Sequence, residues 1–192
     1  MLEGQTDILN VLLSRATVHE YSANALPPGV VEIAIEAALA APNHRLTEPW
    51  RFVQVGPRAR EELAVLQARL KGKGRVVGPE DLERTRHKML TPPELLAVCR
   101  VRHPDPTVER EDYGAIACAL QNFSLCLWAQ GIGSKWSTGA ITSHDDTYAI
   151  LGVDAQATEI VGFLWAGYPA RPEGVNKPPR RLGLSEVLRR VP

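Results

Sequence analysis

The chain has 192 residues, and its 22 basic and 22 acidic side chains cancel to a formal net charge of zero. Hydrophobic residues make up 44% of the chain and charged residues 23%, a composition that supports one domain with a buried core and excludes disorder as the main state. The zero balance argues against a general nucleic-acid or anionic-membrane binder, since both need a surplus of basic side chains.

Apolar periodicity and breaks at proline or glycine predict the elements of the first half of the chain. They are helices over 3–14, 28–40 and 57–71, and a strand over 50–55. Residues 71–93 are rich in glycine, proline and charge. We therefore predict a mobile excursion there, with a short charged helix at 80–90.

The second half is predicted to contain strands at 95–99, 135–137 and 160–168, a loop over 103–110, and helices over 112–130 and 144–151. Helix 112–130 is apolar on nearly all sides, so it must be buried almost completely. A subunit interface could supply part of that cover, which makes a homodimer plausible. The continuous apolar run at 160–168 is typical of a central strand.

Helix 144–151 has two candidate start signals. Ser143 with Asp146 resembles a capping box, and the run His144-Asp145-Asp146 is far more consistent with capping than with a metal site. The overall count is about four strands and five or six helices. It predicts an α+β or α/β fold with a helix-covered sheet.

The three cysteines, Cys99, Cys118 and Cys126, form no CxxC pair. We expect them to be small buried hydrophobic residues in a reducing compartment. The first residues lack the charged and apolar regions of a signal peptide, and no stretch is long and apolar enough for a membrane span. A cytoplasmic protein that associates with neither membrane nor nucleic acid is therefore expected.

The well-known local signatures of catalysis are missing from the sequence. It contains no P-loop, no dinucleotide-binding glycine fingerprint, no GxSxG elbow and no paired histidine spacing for a metal. We therefore predict no bound metal, and the function has to be sought in less specific polar clusters.

Three polar clusters lie beside structural breaks, at residues 14–17, 41–52 and 133–139. Arg15 and Thr17 could bind a phosphate, although an arginine near a helix end is the commoner case. Asn43 and His44 sit in a loop stiffened by prolines, which suits either a polar heterocycle or a rigid connector. The hydroxyls and glycines of 133–139 allow close approach of a ligand, or only a turn.

Several spaced motifs occur in a fixed order: Arg15-Ala16-Thr17, Ala41-Pro42 with Pro49-Trp50-Arg51-Phe52, Gln121-Asn122-Phe123-Ser124-Leu125 with Gly131-Ile132-Gly133, Ile160 to Pro169, and Arg181 to Val187. In this order they resemble the nitroreductase family of FMN-dependent oxidoreductases, most of all its small YdjA-type branch. The resemblance covers almost the whole chain.

The resemblance implies one domain over 1–192 with an α+β fold, in which helices cover a mostly antiparallel central sheet. It also implies an intertwined homodimer with FMN at the interface, and an extended basic tail over 171–192. The FMN-binding residues it implies are Arg15, Ala16 and Thr17 at the phosphate and ribityl end, Arg181 at the phosphate, His44 from the opposite subunit, and Trp136, Ser137 and Thr138 along the ring.

The implied activity is an oxidoreductase that takes electrons from NAD(P)H and passes them to a nitroaromatic, quinone or similar small acceptor in alternating half-reactions. No catalytic acid, base or nucleophile is assigned, because the cofactor does the redox chemistry. Two alternatives stay open: a flavin-dependent dehydrogenase of a small metabolite, and a non-catalytic flavin-binding or scavenging protein. The excursion at 71–93 could cover the flavin, or be a plain surface insertion.

Overall fold

The molecule is built on an antiparallel sheet with helices on both of its faces. The computed structural model describes residues 8–171, 175 and 182–191. The strands are β1 (Trp50–Gln54), β2 (Glu94–Val101), β3 (Gly133–Ser137) and β4 (Thr158–Gly167). The helices are α1 (Ile8–Ser14), α2 (Val30–Leu39), α3 (Pro57–Gly72), α4 (Pro79–Leu90), α5 (Pro106–Trp128), α6 (Asp145–Leu151) and α7 (Leu184–Val187), with a 3-10 turn at Ala140–Ser143.

The strand order is β1-β2-β4-β3, and every pair is antiparallel. This arrangement confirms the α+β class. It also confirms the central position predicted for the last strand, because β4 pairs with both β2 and β3. Its residues from Ile160 to Gly167 are buried, as expected of a strand covered on both faces.

Alternate residues of the sheet contribute to two separate cores. Val98 and Leu164 face one core with α2 and α5, whereas Ala97 and Phe163 face the other with α3 and α6. Since successive strand residues point to opposite faces, each face is covered by its own pair of helices. The α3 face of the sheet positions the candidate site.

Helix α5 differs from its prediction in both its start and its burial. It begins at Pro106, because the Asp105 carboxylate accepts a hydrogen bond from Thr107 N at 2.8 Å and caps the helix, so a loop extending to residue 110 was wrong. Within the single chain only one side of α5 is buried, around Phe123. Tyr113 is 45% exposed, so near-complete burial is not achieved within one chain.

The start of α6 corrects the expected capping box. The ring nitrogen Nδ1 of His144 accepts the hydrogen bond from Asp146 N at 3.1 Å, and Ser143 instead donates to a carbonyl of the preceding turn. The capping role preferred for the His144 segment is confirmed. Across the described ranges, no group of three potential metal ligands lies together.

The three cysteines are free thiols, but they are not equally buried. Cys99 lies in the core, where burial raises the pKa of its thiol to about 11. Cys126 is half-buried and Cys118 is exposed on α5, so the expectation of burial was wrong for Cys118 within one chain. No helix in the described part of the chain has the length and apolar character needed to cross a bilayer.

The predicted helix within 71–93 is confirmed as α4, which packs against α3 and buries Thr85 and Met89. The end of this segment is anchored by Arg60, which is 7% exposed. Its guanidinium donates to the carbonyl oxygens of Val55, Pro92 and Pro93 at 2.8, 2.6 and 3.0 Å. The mobility predicted for this excursion stays a prediction.

Replacing Arg60 with methionine is expected to lower the free energy of unfolding by about 3 kcal/mol, since carbonyl acceptors lose a buried charged donor. Chemical denaturation of the variant measures this change. Arg58→Met on the same helix is the matched control, because its side chain is 95% exposed and its loss should change stability by less than about 0.5 kcal/mol. Equal stability of the two variants would contradict the anchoring role.

Candidate functional site

A cavity of about 300 Å³ lies on the α3 face of the sheet, between α3, α4 and the end of β3. We call it the inner cavity. The polar residues that line it include Gln67, Lys71, Lys88, Lys135, Ser137 and Thr138, with Trp165 and Phe163 as the apolar floor.

The register of the sheet explains which β3 side chains reach the inner cavity. Lys135 pairs with Trp165 and Ser137 pairs with Phe163, so all four side chains share one face. The indole N–H of Trp165 donates to Ser137 Oγ at 2.6 Å, and Lys135 Nζ lies 4.7 Å from the centroid of the Trp165 ring. Because its Oγ already accepts a hydrogen bond, the Ser137 hydroxyl can donate to a ligand.

The inner cavity is positively charged. Burial, followed by repulsion from Lys88 and Lys71, lowers the pKa of Lys135. The pKa of Lys71 is lowered in the same way, by burial and then by Lys88 and Arg84. Among the described lining residues there is no carboxylate to offset these charges. Such a cavity suits an anionic or electron-rich group.

The segment that carries Arg15, Ala16 and Thr17 lies directly beside β3. Thr17 forms a parallel bridge with Ser134, and Val18 N donates to Ser134 O at 3.1 Å. Gly133 permits this approach, because a Cβ there would lie 2.8 Å from Val18 Cβ and closer still to Val18 Cγ2. Further along the same segment, His19 and Tyr21 line the inner cavity. Arg15, Ala16 and Thr17, which were predicted at the phosphate and ribityl end, do not line it.

Trp136 lies on the other face of the sheet from Ser137. It pairs with Leu164, and its indole packs so closely over Gly162 that no Cβ would fit there. Its side chain is 38% exposed. Of the three residues predicted to lie along the flavin ring, the structure therefore brings only Ser137 and Thr138 together in the inner cavity.

The loop after α2 holds His44 away from the inner cavity but in a defined position. His44 Nδ1 and Arg45 Nε lie 3.2 and 3.1 Å from the Glu111 carboxylate on α5. Hydrogen bonding to Arg45 and then His44 lowers the pKa of Glu111. The His44 side chain is 72% exposed, so the single chain leaves it open to a second subunit.

The buried end of the same loop is braced by Asp112, which is 2% exposed. Thr47 Oγ1 donates to the Asp112 carboxylate at 2.5 Å, and Asn43 Oδ1 accepts from Glu48 N at 2.8 Å. Leu46 and Glu48 have left-handed backbones with φ of 52° and 47°, a conformation that side chains rarely adopt. The side-chain network holds the loop in this shape.

A second cavity, of about 320 Å³, opens between the end of α3, residues 73–78 and α4. We call it the outer cavity. It shares Lys71, Thr85 and Lys88 with the inner cavity, and Arg75 and Arg84 add two further cations.

Sequence reasoning missed Lys71, Lys88, Lys135 and Trp165 as site residues. One signal was available for Lys135, because it is the only lysine or arginine between positions 113 and 170 and it lies in a predicted strand. The two lysines on helices carried no such signal. The remaining predicted ligand, Arg181, lies outside the described residues.

The model of the nitroreductase family matches residues 12–168. This chain belongs to that family. Over 181 residues, and 93% of each chain, it is 26% identical to "Putative NAD(P)H nitroreductase YfhC" of Bacillus subtilis (strain 168). It is also 26% identical over 168 residues to "Putative NAD(P)H nitroreductase YdjA" of Escherichia coli (strain K12), covering 85% of this chain and 88% of the relative.

Two solved structures superpose on this chain over nearly the whole length of both chains. The nitroreductase-like family protein from Bacillus cereus superposes with a TM-score of 0.84 at 22% identity, over 100% of this chain and 99% of that one. A nitroreductase from Desulfovibrio desulfuricans, solved in complex with FMN, has a TM-score of 0.74 at 20% identity over 98% of each chain. Because each superposition covers nearly the whole of both chains, the likeness confirms the expected nitroreductase-like fold.

Proposed function

We propose that this protein is an FMN-dependent oxidoreductase. It takes electrons from NAD(P)H and passes them to a nitroaromatic, quinone or similar small acceptor in alternating half-reactions. The observation that carries the proposal is the inner cavity of a nitroreductase-family chain, where Ser137 Oγ is oriented by Trp165 beside the Lys135 and Lys71 ammonium groups.

The residues of the inner cavity fit a flavin ring. A flavin is flat and apolar on its faces, and its polar edge carries carbonyl and nitrogen groups that accept electron density on reduction. Phe163 and Trp165 supply an apolar floor, and the Ser137 and Thr138 hydroxyls supply edge donors. When bound, FMN supplies the two-electron chemistry between NAD(P)H and the acceptor, and positive charge near the ring tunes it.

The rest of the cofactor is assigned to the segments flanking the inner cavity. Arg15, Ala16 and Thr17 lie beside β3 and would hold the phosphate and ribityl end, and Arg181 would join them at the phosphate. His44 would come from the partner subunit. Trp136 lies on the sheet face opposite Ser137, and it would border the ring at the edge of the sheet. These side chains bind, orient and exclude water, and none is assigned as an acid, base or nucleophile.

A homodimer is part of the proposal. Within the single chain, Ile8 and Leu12 on α1 are 73% and 43% exposed, and Tyr113 and Cys118 are exposed on α5. Apolar surface of this extent in one molecule favours association, since its burial lowers the free energy. A second copy would cover α5 and bring the exposed His44 to the flavin. The free thiols fit a reducing, cytoplasmic setting.

The visible spectrum of the purified protein tests the proposal directly. We expect flavin absorbance in the purified protein or after adding FMN, bleaching on addition of NADPH or NADH, and recovery of colour on addition of a nitroaromatic or quinone. A colourless protein that binds no added FMN would contradict the cofactor assignment. Bound FMN that neither coenzyme bleaches would favour a scavenging protein, and bleaching by a small metabolite instead would favour a dehydrogenase.

A further inference from the structure

The outer cavity has a surplus of positive charge. Lys71, Arg75, Arg84 and Lys88 line it together with a single carboxylate, Asp81, which is already paired with Arg84. Within the described residues, no carboxylate forms an ion pair with Lys71, Arg75 or Lys88. An uncompensated group of cations around a concave space is a binding site for an anion.

The outer cavity continues into the inner one, because Lys71, Thr85 and Lys88 line both. The groove therefore runs from Ser137 and Thr138 at its inner end to residues 73–78 at its outer end. With the flavin ring at the inner end, a second ligand that stacks on the ring and extends along the groove must be long, and its other end reaches the arginines. Its distant end must be anionic.

On the basis of the proposed function, we infer that the outer cavity binds the 2′-phosphate of the nicotinamide coenzyme and so selects NADPH over NADH. The 2′-phosphate of NADPH is a nearly doubly charged anion, where NADH carries a neutral hydroxyl. Arginine is the side chain best suited to such a group, since its planar fork donates two parallel hydrogen bonds.

Arg75 is the residue best placed for this role. Its side chain donates a long hydrogen bond from Nε to Gly72 O, at 3.4 Å, and is exposed in the outer cavity. Arg84 faces it from the first turns of α4. Neither residue lines the inner cavity, so both can be changed without touching the residues assigned to the flavin ring.

The test replaces Arg75 and Arg84 with glutamine, singly and together, in the FMN-loaded protein. We expect the kcat/KM of wild-type protein to be at least about tenfold higher for NADPH than for NADH, because one hydrogen bond to a charged group contributes about tenfold in affinity. The double variant should lose that preference. Calorimetry should show that adenosine 2′,5′-bisphosphate binds about tenfold more weakly to the double variant, while 5′-AMP binding changes little.

The control is Arg58→Gln, which removes the same charge from a 95% exposed side chain at the other end of α3, about 20 Å away along the helix axis. It should leave both readouts unchanged. Equal use of NADPH and NADH by wild-type protein that binds and reduces FMN would overturn the inference while the proposed function stands.

Two other results would also overturn the inference. A parallel loss of FMN affinity in the double variant would assign the cations to the phosphate of FMN. Competition by inorganic phosphate as strong as that by adenosine 2′,5′-bisphosphate would assign them to free anions. If the protein binds no FMN at all, the proposed function fails, and calorimetry with the bisphosphate still decides whether the outer cavity binds phosphate.

Discussion

Alanine at Gly133 is expected to lower the free energy of unfolding by about 3 kcal/mol and to abolish most FMN binding. The added Cβ would lie 2.8 Å from Val18 Cβ and closer to Val18 Cγ2, a separation that real side chains do not show. Val18 is 2% exposed and cannot move aside into solvent. The segment carrying Arg15 and Thr17 must therefore separate from β3, and the proposed phosphate site separates from the ring site. Thermal unfolding and FMN fluorescence titration measure the two effects.

Gly56→Ala is the control for this substitution. Gly56 has an ordinary φ of −74°, and a Cβ added there would meet no atom within 4 Å, so only the cost of a poorer helix cap, about 1 kcal/mol or less, is expected. Adding Val18→Ala to Gly133→Ala removes the two Cγ atoms and should restore part of both losses. Additive effects in this double-mutant cycle would mean that the two residues do not interact.

Replacing both Arg15 and Arg181 with alanine is expected to weaken FMN binding by about 100-fold or more while leaving the proposed dimer intact. Each arginine is proposed to donate charge-assisted hydrogen bonds to the FMN phosphate, and two such partners together account for a loss of this size. FMN affinity is measured by fluorescence titration of the apoprotein. Gel filtration should give twice the chain mass of 21.1 kDa for wild type and variant alike.

The matched control for the arginine pair is Arg189→Ala with Arg190→Ala. It removes the same two charges from the basic tail, at positions where both side chains are exposed. FMN affinity should then change less than about threefold, since exposed charges at a distance are screened. Unchanged FMN affinity after loss of Arg15 and Arg181 would refute the phosphate clamp.

Local patterns in the sequence were sufficient to predict most elements. The 80–90 helix was predicted from its charged residues between glycine and proline breaks, and it exists as α4. The predicted helix starts were wrong where more than one polar side chain could cap the N-terminus of the helix. Asp105 extends α5 towards the N-terminus and His144 replaces Ser143 as a cap, since several neighbouring polar residues can accept the same backbone N–H.

The candidate site likewise contains residues that the sequence predicted and residues that it did not. Ser137 and Thr138 were predicted from a motif and do line the inner cavity, but their neighbour Trp136 points to the opposite face. A motif shows that residues are adjacent in the chain, and strand alternation then separates them. Lys71 and Lys88 come from two helices that meet only when α4 packs on α3. No spacing in the sequence therefore predicts that these two lysines lie in one site.

The sequence by itself determined the family, the order of strands and helices, and a net charge of zero. Those properties follow from local preferences and from motifs that each occupy a few consecutive residues. Only the tertiary structure decided where the charge lies. Three lysines from α3, α4 and β3 converge on one cavity without a facing carboxylate among the described residues, so a chain with no net charge presents a cationic groove. Electrostatic potential depends on distances in space, and only the packing of these elements sets those distances.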